Sequence, residues 1–538
     1  MASKSLLGKR VPRVDAVSKV TGEAKYTFDI FLPKMLFGKI LRSPHPHALI
    51  HNIDISKASK LTGVKAIITR DDFKVREDDP NLKFCAIDLA PQFWDTPPLA
   101  IKKVRFIGDE VAAVAAKDEE TAEEALELIE VDYKELPPVY DPEEAMIPDA
   151  PRIHDKERNI SEKRALIFGD AEKGFQESFC IVEDEYQTQL ISHCCLETHN
   201  AVARFDPSGK LTLWTSTQVP FKIRQQLARV LNISEAKVRV IKPHVGGGFG
   251  SKAELFPLEV CSALLSMKSG RSVKISLTRE EEFMATRYRH PVKITLKTGA
   301  KKDGTLLAEE GHCIMDGGAY NSWGPLSTSL LPFFLTIPYR IPNIKYESIR
   351  VYTNKPPCGA LRGHTGPQAH FAHELQLEKL AQELNMDPLE FRIKNALQAW
   401  ETTVTGLKIT SCGFSECLEK VGEIVDWEKK YGNTKKYKGI GIGGSCCASG
   451  ATIPLIKAPG PFPGIHSMAL INIQENGIVH LLCGGADIGQ GLDTIIAQIT
   501  ADELGLGMED IQLTTADTDL TPMDMGSFSS RGTFFNGN

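Results

Sequence analysis

The chain has 538 residues, 42% of them hydrophobic and 25% charged, with a net charge of −6. That is the composition of a globular protein of more than one domain, and so small a charge gives no reason to expect a nucleic-acid or anionic-membrane partner. The first twenty residues lack the apolar core of a secretory signal, and no stretch approaches the roughly 18 consecutive apolar residues of a membrane span, so a cytoplasmic address is expected.

In the first region, up to about Glu144, the segment Val104–Glu110 leads into the apolar run VAAVAA, which predicts a strand. A helical pattern, DEETAEEALELIEV, comes next, then a short strand and the turn-rich LPPVYDPEEA, together reading as a small α/β domain. MIPDAPRIHDKERNISEK is polar and carries prolines, so it reads as a linker.

The second region, about 165–430, alternates strand-like runs (LTLWTST, KVRVI, VKISLT, VKITLKTG) with helices. The clearest helix is PQAHFAHELQLEKLAQELNM, with Asp387-Pro388 marking its end. The third region starts near Tyr437 and again sets a strand before a helix, IVHLLCGG and then DTIIAQITADELG. The last residues, SFSSRGTFFNGN, predict no closing helix or strand.

Twelve cysteines are spread along the chain. Cys194-Cys195 and Cys446-Cys447 are adjacent, and Cys412 and Cys417 open like an iron–sulfur pattern, but the C-x-x-C it needs does not follow. They read as reduced thiols in a large core, and any iron–sulfur relay is expected on another chain.

Three glycine-rich loops sit at strand-to-helix junctions. In Gly246-Gly247-Gly248-Phe249-Gly250-Ser251-Lys252, glycines let backbone approach a ligand, and the helix read from AELFPLEVCSALLSM would present free N–H groups to an anion. The spacing is neither a Walker loop nor a dinucleotide fingerprint. In the second loop, Gly359–Gln368, Arg362 can present a fork of donors, and His364 either meets substrate or caps the turn. In the third, Gly484–Gly491, the Gln490 amide can bond a polar cofactor atom. Gly439–Gly444 matches G-x-G-x-x-G, but SCCASGATIPLIKAPG follows it and reads as no helix, so a glycine-lined strand packed against a neighbour is expected there. The loops together suggest a large, extended, phosphate-bearing cofactor.

These segments resemble a known family. RVDAVSKVTGEAKYTFDI, LRSPHPHALI and VRFIGDEVAAVAA are similar to the α/β-hammerhead domain of xanthine dehydrogenase and aldehyde oxidase relatives. WTSTQVPFKIRQQLARVLNISEAKVRVIKPHVGGGFGSK, GALRGHTGPQ and GGADIGQG resemble their molybdopterin-binding domain, in the same order. The resemblance implies an α+β fold: a hammerhead domain over 1–144, a linker over 145–164, and a two-lobed molybdopterin-binding domain with its first lobe over 165–434 and an incomplete second lobe over 435–538.

It implies a molybdenum–molybdopterin cofactor, in the cytosine dinucleotide form, with the metal held by the pterin dithiolene and by no protein side chain. Carried over residue by residue, Gln218, Gly248, Phe249, Gly250 and Arg362 lie at the metal end, Gly489 and Gln490 at the pterin or its phosphates, and Ser529 at a further backbone contact. The activity implied is hydroxylation of a heterocyclic or aromatic substrate, purine-like or related, with oxygen from water. Electrons pass to [2Fe-2S] and FAD on partner chains.

The chain departs from the family in three places. The glutamate that serves relatives as general base has no counterpart motif, so no catalytic base is named here. Either the sequence is cut short or a second polypeptide completes the lobe, and a catalytically incomplete fragment is the alternative. Purine-oxidising relatives carry glutamate directly after the loop lysine, where this chain has Ala253 with Glu254 one place on. They carry an aromatic residue where it has His364. Glu254 and His364 are the candidate substrate-pocket residues, and GALRGHTG also admits a reductive relative acting on an aromatic acyl-CoA thioester. The cysteine-bearing loop of carbon monoxide dehydrogenases is absent, since Ala360-Leu361 precede the arginine.

Overall fold

The computed structural model describes residues 5–76, 79–86, 91–156, 158–450 and 467–538. The largest sheet has seven strands, in the spatial order Val238–Ile241, Leu211–Thr215, Asn200–Phe205, Val273–Ser276, Leu36–Arg42, Glu110–Ala116 and Val64–Thr69. It joins the first and second regions, because Leu36–Arg42 pairs in parallel with Val273–Ser276. Glu110–Ala116 is buried along its whole length. Helix Glu119–Glu127 and helix Pro257–Ser269 both pack against it, which is why this run is continuously small and apolar and does not alternate. Asp118 caps the first of these helices by accepting from the Thr121 amide at 2.8 Å.

A second, five-stranded sheet runs Ile160–Phe168, Asn343–Val351, Leu306–Asp316, Val292–Ala300, Cys180–Gln187. Helices Gly324–Leu335 and Gly366–Glu383 cover it, and their apolar faces form one core with Leu296, Met315 and Tyr346. The third sheet holds Ala469–Ile473, Val479–Cys483 and Ile511–Thr515, with helix Leu492–Leu504 packed on Leu481 and Cys483.

Several local expectations change. The long helix spans Gly366–Glu383, and Asp387 begins the next helix, Pro388–Asn395, by accepting from the Leu389 amide at 2.8 Å. The Asp-Pro pair is thus a start signal as well as a stop. The helix after the first glycine loop begins at Pro257, not at Ala253, because Pro257 stands at its first position and the Glu259 carboxylate accepts from the Phe256 amide at 2.9 Å. The segment read as a polar linker is anchored: Ile153 and Asn159 are buried, Asn159 donates to Ala145 and Pro151 carbonyls, and Ile160 opens a strand. Gly439–Gly444 forms no strand, and Gly444 lies against the Phe414 ring; of the segment that follows, residues 451–460 lie outside the described residues. A short helix, Gly532–Gly537, forms where none was expected. All twelve cysteines are free thiols. Among the described residues no helix is long and apolar enough to cross a membrane, and no group of three or more His, Cys, Asp or Glu could hold a metal.

Candidate active site

The first glycine loop follows strand Val238–Ile241 and is shaped by positive φ at Gly247, Phe249 and Gly250. A Cβ on Gly250 would lie 2.4 Å from the Ala360 carbonyl oxygen, and one on Gly248 would lie 2.6 Å from Gln218 Oε1. Only glycine permits both approaches. The Phe249 carbonyl accepts from the Arg362 amide at 2.8 Å, and the Arg362 guanidinium lies 5.6 Å from the centroid of the half-exposed Phe249 ring. The first and second glycine loops are therefore one surface.

Buried ionic groups hold this loop from below. Lys252 is 1% exposed and donates to the Glu197 carboxylate at 2.9 Å, which also accepts from the Gly246 amide at 2.7 Å. His199 bonds both Glu282 oxygens at 2.9 Å through Nδ1 and the Ser251 carbonyl at 3.2 Å through Nε2. Burial pushes the Glu282 carboxyl up, but the charge and hydrogen bonds of His199 outweigh it and hold it down at about 2.

Gln218 joins this surface to the last part of the chain. Its Nε2 donates to the Ser527 carbonyl at 2.6 Å while its Oε1 accepts from the Gly250 amide at 2.9 Å. In the third glycine loop Asp487 accepts from the amides of Gly489 at 2.7 Å and Asp493 at 3.0 Å. Gln490 Nε2 donates to the Ala486 carbonyl at 3.1 Å and lies 3.4 Å from Ser527 Oγ. Ser527 is thus the meeting point of two loops, and nothing in its sequence context marks it. Ser529 sits apart, exposed, with φ of 49° and its hydroxyl donating to the Ala448 carbonyl at 3.3 Å.

The two substrate-pocket candidates part company. Glu254 is not free to meet a ligand: its oxygens accept from Arg287 Nε and Nη2, each at 3.1 Å, and from Ser322 Oγ at 2.6 Å, in a fully buried cluster. A carboxylate buried that deeply needs its cation, and the pair is structural. His364 instead faces an aromatic group. Its Nε2 bonds Ser327 Oγ at 2.8 Å, and Trp323 lies edge-on to it at 6.1 Å and 5.9 Å from Phe528. Burial, then the nearby Arg289 charge, lower the His364 pKa to about 4, so the ring is neutral near pH 7. Trp323 and Phe528, which the sequence did not single out, complete this wall, and the buried Trp323 indole N–H has no hydrogen-bond partner among the described residues.

The exposed side of this surface fits an extended anionic group. Phe249, Arg362, Gly489 and Gln490 are all exposed on it, and the position of a Cβ on Gly489 has no atom within 4 Å. Arg289 donates to the Arg362 carbonyl at 2.7 Å and is pushed below the ordinary arginine range by burial and by the Arg362 charge. Two crowded cations leave a positive potential that favours an anion.

Three family models match in succession: the aldehyde oxidase and xanthine dehydrogenase a/b hammerhead domain over residues 21–137, and molybdopterin cofactor-binding domains over 153–396 and 420–538. The chain is 35% identical over 535 residues to the xanthine dehydrogenase molybdenum-binding subunit of Escherichia coli O157:H7, covering 97% of this chain and 69% of that protein. It is 37% identical over 423 residues to the nicotinate dehydrogenase large molybdopterin subunit of Eubacterium barkeri, covering 78% of this chain and 96% of that one. The crystal structure of quinoline 2-oxidoreductase from Pseudomonas putida 86 superposes with a TM-score of 0.91 at 30% identity, over 99% of this chain and 70% of that chain. The chain belongs to the xanthine dehydrogenase and aldehyde oxidase family, as a molybdopterin-binding large subunit of a molybdenum-dependent oxidoreductase.

Proposed function

We propose that this chain holds the molybdenum cofactor, in its cytosine dinucleotide form, within a cytoplasmic multi-subunit complex that hydroxylates an electron-poor heteroaromatic ring. When bound, that group supplies the two-electron oxidation that accompanies insertion of a water-derived oxygen. The observation that carries the proposal is the Gln218 amide, which ties the Gly248–Gly250 backbone to the Ser527 segment beside Gln490.

In this reading Gln218, Gly248, Phe249, Gly250 and Arg362 line the metal end, Gly489 and Gln490 carry the pterin and its phosphates, and Ser529 offers a further backbone contact. Preset donors of this kind bind without reorganising. His364, Trp323 and Phe528 orient a flat substrate and keep water from its faces. The names of the nicotinate and quinoline relatives, both nitrogen heteroaromatics, support the substrate class.

The proton-abstracting carboxylate comes from another polypeptide segment, because Glu254 and Glu197, which border the loops, are neutralised by Arg287 and Lys252. That segment also has a surface to cover: among the described residues strand Ala469–Ile473 is a sheet edge whose Leu470, Ile471 and Ile473 are 50%, 49% and 60% exposed. Chains carrying [2Fe-2S] and FAD complete the path for electrons.

The test is co-expression with the genes encoded beside it, followed by measurement of molybdenum and cytosine nucleotide in the purified complex and of oxygen-18 transfer from water to an N-heteroaromatic product. Molybdenum near one per chain and labelled product are expected. A complex purified with all its partners yet lacking molybdenum overturns the proposal.

A further inference from the structure

The first residues of the chain lie on the third glycine loop. Arg13 Nη1 donates to the Gly489 carbonyl at 2.9 Å, while its Nε and Nη2 form a two-pronged pair with Asp15, both at 2.9 Å. Lys19 also bonds Asp15, so the carboxylate that orients the guanidinium is itself fixed. Arg13 Nη2 is 4.0 Å from Asp487, the residue that folds the loop through the Gly489 and Asp493 amides.

The neighbouring residues bind along the helix that the loop begins. The Val14 amide donates to Thr494 Oγ1 at 3.1 Å, and the Leu6 amide donates to Asp502. Gln498 is 4% exposed, and its Nε2 donates to the carbonyls of Leu6 at 2.6 Å and Lys9 at 3.2 Å. Residues 5–15 therefore track helix Leu492–Leu504 from Asp502 to its first turn and finish on the loop before it. On the opposite side Lys242, 9% exposed, donates to the Asp487 carbonyl at 2.8 Å.

Gly489 and Gly491 have φ of +111° and +92°, and a Cβ on Gly489 would meet nothing within 4 Å. At Gly489 the loop therefore gains little from packing, and its conformation there depends on two hydrogen bonds, one from within through Asp487 and one from outside through Arg13.

We propose that residues 5–15 are a clasp closing the first part of the chain over the third glycine loop, with Arg13 the positioning residue that sets the Gly489–Gln490 backbone. This rests on the proposed function, in which the loop faces the cofactor. Arg13 acts through Gly489 and need not touch the cofactor. Its planar fork can bond a carboxylate and a carbonyl at once, which one ammonium does less well.

The test compares the intact complex with R13A and R13K variants by hydrogen exchange and by molybdenum retention during dialysis. In R13A, exchange at residues 487–494 is expected to quicken about fivefold, the size for a partly exposed charged contact. Exchange at residues 292–300, in the other sheet, stays as in the parent. Molybdenum is lost faster from R13A, and R13K recovers part of the retention. Unchanged exchange at 487–494 in R13A, or quickening spread evenly along the chain as general destabilisation gives, overturns the clasp. If the parent complex holds no molybdenum, the cofactor reading falls while the exchange comparison still decides the clasp.

Discussion

Gln218 and Ser527 are 309 positions apart and joined by one buried hydrogen bond, Nε2 to carbonyl, at 2.6 Å. The same amide accepts from Gly250 on its other side, so a single side chain sets the distance between two cofactor loops. Replacing it with alanine strands the buried Ser527 carbonyl and the part-buried Gly250 N–H. Q218A is expected to lose about 3 kcal/mol of stability and most of its bound molybdenum. Q218E, which accepts but cannot donate, should keep the Gly250 contact and still lose the Ser527 one. Thermal unfolding and metal analysis of the two variants check this.

Glu254 is predicted to be structural. E254A leaves the Arg287 cation buried without its partner and should cost about 3–5 kcal/mol in chemical denaturation. The variant molecules that remain folded should keep the parent KM. A raised KM with unchanged stability would return Glu254 to the substrate pocket.

His364 is predicted to tune substrate affinity. H364F offers a larger ring beside Trp323 and should lower KM for a flat heteroaromatic substrate about threefold. It removes the His364 bond to Ser327 Oγ, which still donates to the Trp323 carbonyl at 3.1 Å, at a stability cost of about 1 kcal/mol. Steady-state kinetics and melting curves separate the two effects.

The Glu282–His199 pair predicts a pH dependence. Glu282 titrates at about 2 in the folded chain against an ordinary 4.5, because His199 favours its charged form. A depressed carboxyl pKa stabilises the fold above the ordinary value, and that stability is lost as pH falls from 4.5 toward 2. E282Q should flatten this acid limb between about pH 4.5 and about pH 2 and reduce stability at neutral pH by a few kcal/mol. Urea unfolding across that range measures the slope.

Much of the architecture is legible in the sequence because it is local. VAAVAA, VKITLKTG and IVHLLCGG carry strand signals and form strands, and the three glycine loops announce themselves because positive φ favours that residue at Gly250 and Gly489 and close approach to Ala360 requires it at Gly250. The Asp387-Pro388 boundary and the start at Pro257 are shifted or reversed because a capping carboxylate works equally at the beginning of a helix as after the end of the previous one. The segment 146–163 is polar enough to read as a linker, yet Asn159 is buried because the carbonyls of Ala145 and Pro151 accept its amide.

The sequence by itself determined the glycine loops, their order and the family they resemble. Tertiary structure decided which loops meet and which charges are free. Ser527 joins Gln218 and Gln490, Arg13 reaches Gly489 across 476 positions, and Glu254 is claimed by Arg287. Backbone conformation is written in neighbouring residues, whereas a hydrogen bond or ion pair depends on a partner brought near by the fold. A serine or an arginine carries no mark of which partner it will meet.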